Sequence, residues 1–163
     1  MRTVVLTIST TLAAGDDGED TSGPHLAALL REAGCDVAPV EVLPDDRDAI
    51  AARLRALVAD DVRFVVTTGG TGLTPDDVTP EATRDVIERD APAFQQAMLI
   101  EGLRHQPLAL LTRGVSGIAG RTLIINLPGN PKAIDQLVPV FAPALRHAAD
   151  SLTRDGGRAA GEH

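Results

Sequence analysis

Short apolar runs alternate with amphipathic segments along the chain, and this alternation predicts its elements. Five runs rich in Val, Ile and Leu, each closed by Gly, Pro or polar residues, have the composition of buried strands. These predicted strands cover residues 2–9, 36–43, 62–68, 108–112 and 122–127. Because strands separated by helices are typical of βαβ units, the pattern predicts a layered α/β fold with a largely parallel sheet.

Segments with helical periodicity lie between these strands and after the last of them. The predicted helices cover residues 21–34, 45–59, a stretch from 79 onward, 93–103 and 131–152, and residues 10–20 are predicted to be a loop. Asp45 or Asp46 is expected to cap the second helix, and Thr79 the third. Pro139 and Pro143 predict a kink or break in the last helix.

Length and composition are those of one domain with an ordinary core. The 163 residues, 44% of them hydrophobic, fit the roughly 100–200 residues of a typical domain. We expect residues 1–152 to form this domain and residues 153–163, which are polar and rich in Gly and Ala, to form a flexible tail. A single cysteine, Cys35, excludes an intramolecular disulfide framework and a cysteine metal cluster.

Charge and composition also limit the partners and the compartment. The net charge of −8 and the lack of a basic stripe argue against a nucleic-acid partner. No apolar run approaches the ~18 residues that a membrane helix needs. The first residues have the pattern of a strand and not of a secretion signal. The sequence therefore predicts a cytoplasmic protein with neither a nucleic-acid nor a membrane partner.

A glycine-rich stretch follows the third predicted strand. Residues 67–72 read Thr-Thr-Gly-Gly-Thr-Gly, and the carboxylates Asp76 and Asp77 come soon after. Glycines leave backbone N–H groups open to an anion, and carboxylates can hold Mg²⁺, so this arrangement suits a phosphorylated ligand and its metal. For the glycines alone, a simple turn before an exposed acidic helix start is the competing interpretation.

The longer string resembles a known family. Residues 67–72 and 77–83 (Asp-Val-Thr-Pro-Glu-Ala-Thr) are similar to the hallmark of the MogA/MoaB-type molybdopterin-binding family of molybdenum cofactor biosynthesis. Residues 120–133 resemble its second signature, Asn-Leu-Pro-Gly-Asn-Pro-Lys-Ala on its preceding strand. Weaker matches lie at residues 20–23 and 43–46, and the resemblance covers roughly residues 3–152.

The resemblance implies a fold, an activity and partners. The fold is a three-layer α/β/α domain of the molybdopterin-binding type with a mostly parallel sheet. The activity is that of molybdopterin adenylyltransferase, which uses MgATP to place AMP on the terminal phosphate of molybdopterin and releases pyrophosphate. ATP and molybdopterin are then the substrates, Mg²⁺ is the cofactor, and the protein is expected to form a homo-oligomer, either a trimer or a hexamer.

The family's functional aspartates match Asp77 and Asp45, which the resemblance makes the catalytic residues and the Mg²⁺ ligands. From the residues alone, Asp77 could instead bond the backbone of its own turn. Asp45 could equally be an ordinary helix cap. Two carboxylates from separate strand ends are what a metal-assisted nucleotidyl transfer requires.

Other matched residues are expected to bind molybdopterin or phosphate. They are Ser22, Gly23, Thr68, Gly69, Gly70, Thr71, Gly72, Asn126, Pro128, Gly129, Asn130 and Lys132. For Asn130 and Lys132 individually, a rigid joint between strand and helix is an equally good interpretation, and Ser22 could instead cap the first helix.

Three departures separate this chain from the family pattern. Members often carry Ser-Asp-Arg after the first strand, where this chain has Ser9, Thr10 and Thr11. Thr112 stands where serine is common, and Asp76 where arginine is often found. The missing acidic and basic groups favour the alternative of a non-catalytic molybdopterin-binding or interaction protein of the same fold, whereas the intact Asp45 and Asp77 oppose it.

Overall fold

A seven-stranded sheet forms the middle of the structure, a computed structural model that describes residues 1–16 and 18–154. Its strands are β1 (Arg2–Ile8), β2 (Asp36–Val37), β3 (Glu41–Leu43), β4 (Phe64–Thr68), β5 (Arg89–Asp90), β6 (Ser116–Ala119) and β7 (Thr122–Leu127). The strand order is β2-β1-β4-β7-β6-β5, and β3 also pairs with β1. The strands β1 to β4 and β7 are parallel, whereas β6 is antiparallel to both of its neighbours. The predicted tail lies, from residue 155 on, outside the described residues.

Seven α-helices connect and follow these strands in the described part of the chain. They are α1 (Thr10–Ala14), α2 (Ser22–Glu32), α3 (Arg47–Ala59), α4 (Thr79–Arg84), α5 (Pro92–His105), α6 (Pro131–Phe141) and α7 (Leu145–Thr153). The predicted break in the last helix is confirmed, because the 3₁₀ turn Ala142–Ala144, which contains Pro143, separates α6 from α7. Pro139 is accommodated inside α6.

The helices cover both faces of the sheet, which makes two hydrophobic cores. On one face, α2, α5, α6 and α7 pack against side chains such as Val5 and Phe64. On the other face, α3 and α4 pack against Leu6 and Val65. Neighbouring strand residues therefore point into different cores, as the alternation of side chains along a strand requires. The predicted three-layer α/β/α fold with a mostly parallel sheet is confirmed.

Two predictions near the amino terminus were wrong in detail. The stretch predicted as a loop contains α1, which Ser9 caps by accepting a hydrogen bond from the Leu12 N–H. The strand predicted at residues 36–43 is two strands, β2 and β3, that both pair with β1. Pro39 lies between them, and because proline has no N–H to give to a neighbouring strand, the ladder is interrupted there.

The strand predicted at residues 108–112 is also wrong. Pro107–Leu111 is a 3₁₀ helix. The strand that pairs with β7 is instead β6, which lies in the stretch predicted to be a glycine-rich connection. Gly117 allows β6 to fit, since a Cβ on it would lie 2.8 Å from the carbonyl oxygen of Arg89 in the next strand. The glycine reflects a close approach between backbones within a sheet.

None of the helices in the described residues is both long enough and apolar enough to cross a membrane.

Candidate active site

The glycine stretch forms a tight loop at the carboxyl end of β4. Gly69 and Gly70 have φ values of +100° and +63°, which favour glycine. A Cβ on Gly69 would overlap the carbonyl oxygen of Ile8 at the end of β1. Thr79 was predicted to cap α4, and this was wrong: Val78 has the cap position, and the buried Thr79 hydroxyl donates to the Gly69 carbonyl at 3.0 Å. Thr79 therefore holds the glycine loop.

The second signature loop, after β7, packs directly against the first. Gly69 N–H donates to the Leu127 carbonyl, and a Cβ on Gly129 would lie 3.2 Å from Cα of Gly69. The Thr68 hydroxyl donates to the Pro128 carbonyl at 2.9 Å, and the Ser22 hydroxyl donates to the Gly129 carbonyl at 3.1 Å. The two loops thus form one backbone wall.

Two cavities share this wall, because both contain Gly69 and Gly129 in their linings. The first, of about 330 Å³, lies between the glycine loop, α5, the 3₁₀ helix and α6, and its apolar part includes Met98, Leu99 and Leu137. The second, of about 320 Å³, is lined by polar residues that follow β1 and open α2. The loops that follow β4 and β7 therefore lie between two neighbouring cavities.

Asp45 lies beside the glycine loop and does not cap α3. Asp46 is the cap, since its carboxylate accepts from the Ala49 N–H at 2.8 Å. Oδ2 of Asp45 accepts from the N–H and the hydroxyl of Thr10, at 2.8 and 2.9 Å. Oδ1 faces Gly70, on which a Cβ would lie 3.0 Å from that oxygen. The cap alternative thus belongs to Asp46, and Asp45 remains available to the site.

Asp77 bonds its own turn and also lines the first cavity. Its Oδ2 accepts from the hydroxyl and the N–H of Thr74, at 2.6 and 2.9 Å. Partial burial opposes ionisation of this carboxyl, but the hydrogen bonds from Thr74 and Gly72 outweigh burial and lower its pKa below the ordinary value. Asp77 is therefore a fixed anion at the rim of the cavity.

The donor set suits Mg²⁺ only if other oxygens complete the site. In residues 1–16 and 18–154, no group of three or more His, Cys, Asp or Glu side chains could hold a metal ion. The structure places Asp45 next to Gly70 and Asp77 next to Gly72. Since Mg²⁺ is commonly held by one or two carboxylates together with substrate phosphates and water, these two carboxylates fit the ion in that manner.

The remaining predicted binding residues fall into two groups. Thr68, Gly69, Gly70, Thr71, Gly72, Ser22, Asn126, Pro128, Gly129 and Asn130 line one or both cavities. Gly23 and Lys132 line neither: Gly23 is buried in a position where a Cβ would collide with Thr7, and the side chain of Lys132 is exposed. For Asn130, the capping alternative is seen, since its side chain accepts from the Lys132 N–H at 2.9 Å.

Asn126 has a structural task that the sequence does not reveal. Its buried amide nitrogen donates to the hydroxyls of Thr67 and Thr83, both at 3.0 Å, and its Oδ1 accepts from the Val115 N–H. These bonds tie β7 to β4, to α4 and to the segment before β6. The side-chain amide of Asn126 therefore forms hydrogen bonds within the protein and stabilises the strands next to the first cavity.

Arg113 is a functional candidate that sequence reasoning missed. Its N–H donates to the Thr71 carbonyl, and its guanidinium donates to the carbonyls of Gly72 and Asp77 and to the carboxylate of Glu81. The backbone of Arg113 thus holds one group of the loop, and its side chain holds three more groups of the loop and of α4. The family-like Leu-Thr-Arg triplet at residues 111–113 was the available signal, but contacts across 36 and 41 residues are invisible in a sequence.

The pair of Glu81 and Arg113 predicts a pH-dependent contribution to stability. The hydrogen bond from Arg113 lowers the pKa of Glu81 below its ordinary value of 4.5. Because the folded-state pKa is lower than the unfolded one, the carboxylate stabilises the fold above about pH 4.5, and this contribution is lost as the pH falls through the folded value. We expect Glu81→Gln to lower the free energy of unfolding at pH 7 by on the order of 1 kcal/mol, since a third of this side chain is exposed. The difference from the parent should shrink below pH 4.5 in denaturant titrations, and a constant difference at all pH values would contradict the assignment.

Comparison with known proteins gives this geometry a context. A family model described as "Probable molybdopterin binding domain" matches residues 4–147. The chain belongs to this family. Among curated members, the molybdenum cofactor synthesis protein cinnamon of Drosophila melanogaster is 39% identical over 153 residues, which are 93% of this chain and 25% of cinnamon. The chain thus spans about a quarter of the length of that relative.

Members of similar length are also found. Molybdopterin adenylyltransferase of Helicobacter pylori is 37% identical over 137 residues, which are 82% of this chain and 78% of the relative. The crystal structure of the molybdopterin biosynthesis enzyme MoaB from Thermus thermophilus superimposes with a TM-score of 0.86 at 39% identity, over 94% of this chain and 97% of MoaB. The resemblance that residues 67–83 and 120–133 suggested is therefore confirmed for the molybdopterin-binding family.

Proposed function

We propose that the protein acts in molybdenum cofactor biosynthesis as a molybdopterin adenylyltransferase. It would transfer AMP from ATP to the terminal phosphate of molybdopterin and release pyrophosphate. The observation that carries this proposal is the glycine wall with a cavity on each side and with Asp45 and Asp77 at its edge. The similarity to the adenylyltransferase of Helicobacter pylori supports it.

The glycine wall supports a reaction between two bound phosphorylated molecules. Within the described part of the chain, neither Gly70 nor Thr71 donates its N–H to an acceptor. Amides with no other partner in a glycine-rich loop suit phosphate oxygens, which accept several hydrogen bonds at once. We assign the phosphate groups of the substrates to this loop.

The chemistry requires positioning more than proton transfer. The attacking oxygen belongs to the molybdopterin phosphate and is already ionised near neutral pH, so it attacks the α-phosphorus of ATP while the bond to the pyrophosphate oxygen breaks. Mg²⁺, when bound, would neutralise charge on the phosphates of ATP. Asp45 and Asp77 hold fixed negative charges for that purpose, and Arg113 keeps the loop and Asp77 in one arrangement.

Purified protein with ATP, Mg²⁺ and molybdopterin tests the proposal. We expect pyrophosphate release that depends on molybdopterin, and a product heavier than molybdopterin by one adenylyl group in mass spectrometry. Binding of molybdopterin without either product would instead support a non-catalytic member of the family, the alternative that the Thr10 and Thr11 departures favour. If the protein neither binds molybdopterin nor releases pyrophosphate, both functions are contradicted.

We also propose that the protein is a homo-oligomer, a trimer or a hexamer. Leu108 and Leu110 of the 3₁₀ helix are 66% and 63% exposed, and Ile100 and Leu103 of α5, the helix that this turn contacts, are 59% and 41% exposed. Large exposed apolar side chains on two elements in contact suit an interface between subunits. Sedimentation at several protein concentrations decides between the two states, and a monomer throughout would contradict the proposal.

A further inference from the structure

The geometry points to Thr10 as a positioning residue for Asp45, an inference that rests on the proposed function. Thr10 uses both of its hydrogen-bond donors on this one aspartate. Its N–H and its hydroxyl donate to Oδ2 of Asp45, at 2.8 and 2.9 Å, and the hydroxyl accepts from the Asp45 N–H at 3.0 Å. The carboxylate is thereby fixed at one oxygen, and the other oxygen faces the glycine loop at Gly70.

Strand register explains why these two residues meet. Ile8 of β1 is paired with Leu43 of β3 in the parallel ladder. Thr10 and Asp45 each lie two residues beyond that pair, so the sheet brings them to the same edge. Ser9 strengthens the arrangement, since its N–H donates to the Leu43 carbonyl at 2.8 Å.

Asp77 is held in a similar way. Its Oδ2 accepts from the N–H and the hydroxyl of Thr74. Both candidate aspartates thus have one oxygen bonded twice by a single threonine. Such hydrogen bonds fix the direction of a carboxylate and limit its rotation, which is the usual task of groups behind a metal ligand.

Position 10, where this chain departs from the family pattern, has a role in the structure. Thr10 stands where family members often carry an aspartate, and the sequence alone indicates only the loss of an acidic group. In the structure, a hydroxyl donor replaces that group and points to Asp45. A threonine can donate a hydrogen bond to a neighbouring carboxylate, whereas an ionised aspartate cannot. In this chain, position 10 therefore orients Asp45.

Three substitutions test the role of Thr10. Thr10→Val keeps the shape and the backbone N–H but removes the hydroxyl, and Thr10→Ser restores the hydroxyl. The control, Thr3→Val, removes a hydroxyl that donates to the Met1 carbonyl at the opposite end of β1. Binding of Mn²⁺, used as a probe for Mg²⁺, is measured by electron paramagnetic resonance with a non-hydrolysable ATP analogue present, since substrate phosphates are needed to complete the site. Melting temperature is recorded for every variant.

We expect Thr10→Val to weaken Mn²⁺ binding, and to raise the Mg²⁺ concentration for half-maximal turnover, by roughly 10-fold or more. The KM for molybdopterin should stay near that of the parent, because Thr10 bonds Asp45 and lines neither cavity. Thr10→Ser should recover most of the loss, and Thr3→Val should leave metal binding unchanged. Thr10→Val should melt somewhat below Thr10→Ser, because it loses both hydrogen bonds of the hydroxyl, and both variants should be fully folded at the temperature of the binding assay.

Two outcomes would overturn the inference. Metal binding by Thr10→Val that equals the parent would show that the hydroxyl does not orient Asp45 for the metal. A parent protein that binds no Mn²⁺ in the presence of the ATP analogue would remove the metal site on which the inference rests. The proposed function fails separately, if the parent binds Mn²⁺ but releases no pyrophosphate with ATP and molybdopterin. In that case the comparison of Mn²⁺ binding among the variants still decides the role of Thr10.

Discussion

The Asp77→Asn variant is expected to lose adenylyl transfer by about 100-fold or more and to remain folded. The amide oxygen of asparagine can accept the two hydrogen bonds from Thr74, so the turn keeps its partners. The negative charge that would hold Mg²⁺ at the first cavity is lost, and loss of an electrostatic contact of this kind costs on the order of 3 kcal/mol of activation energy. Initial rates of pyrophosphate release, measured with saturating ATP and molybdopterin, give the effect.

The neighbouring residue supplies a matched control for that variant. Asp76 is exposed and lines neither cavity, so Asp76→Asn changes the net charge equally without touching the site. We expect its rate to stay close to that of the parent. An Asp77→Asn rate within a few-fold of the parent would exclude Asp77 from the chemistry.

Gly70→Ala is expected to lower the free energy of unfolding by about 3 kcal/mol. The φ of +63° strains any residue with a Cβ by roughly 1–2 kcal/mol. The new Cβ would also overlap Oγ1 of Thr79 and lie 3.3 Å from a methyl group of Ile8, and such overpacking adds about 1–3 kcal/mol. Denaturant titration at pH 7 measures the sum.

Gly34→Ala separates the two contributions to that loss. Gly34 has a similar φ of +86°, but nothing lies within 4 Å of a Cβ built there. We therefore expect this variant to lose only the backbone contribution, roughly 1–2 kcal/mol. Equal losses for the two variants would mean that the loop gives way to the new methyl group without cost.

The central strands could be predicted because their sequences favour a buried strand over any other structure. The run that contains β4 is apolar and β-branched, and it ends in glycines that no strand would continue through. Parallel strands buried on both faces read as continuous hydrophobic runs, so β1, β4 and β7 were all found. These predicted strands also indicate which edge of the sheet holds their carboxyl ends, and therefore where the candidate site lies.

The edge of the sheet could not be predicted, because local pattern and tertiary fit disagree there. The leucines of Pro107–Leu111 have the composition of a strand, yet three of them are exposed in a 3₁₀ helix. The residues of β6 include Ser116 and Gly117, which have little strand character, and they are buried beside β7. A short apolar run in a sequence does not indicate whether its side chains will be buried in a strand or exposed in a helix.

For the candidate site, the sequence indicates residue types more readily than contacts. The two aspartates and the glycine loop could be named because they stand in long, specific strings. The tasks of Thr79, Asn126 and Arg113 depend on partners 10 to 59 residues away in the chain. Periodicity and capping rules concern near neighbours, so they assign none of these three residues to the loop they support.

The pairing of β4 with β7 also sets an order of events during synthesis of the protein. Phe64 is paired with Leu123, and Thr68 with Leu127, so each partner is translated 59 residues later. At about 5–20 residues per second, a ribosome needs several seconds to add that length. Throughout this interval β4 has one unpaired edge, and an unpaired apolar strand is a template for association with other chains. The nascent chain is therefore open to such association at the strand that leads into the glycine loop.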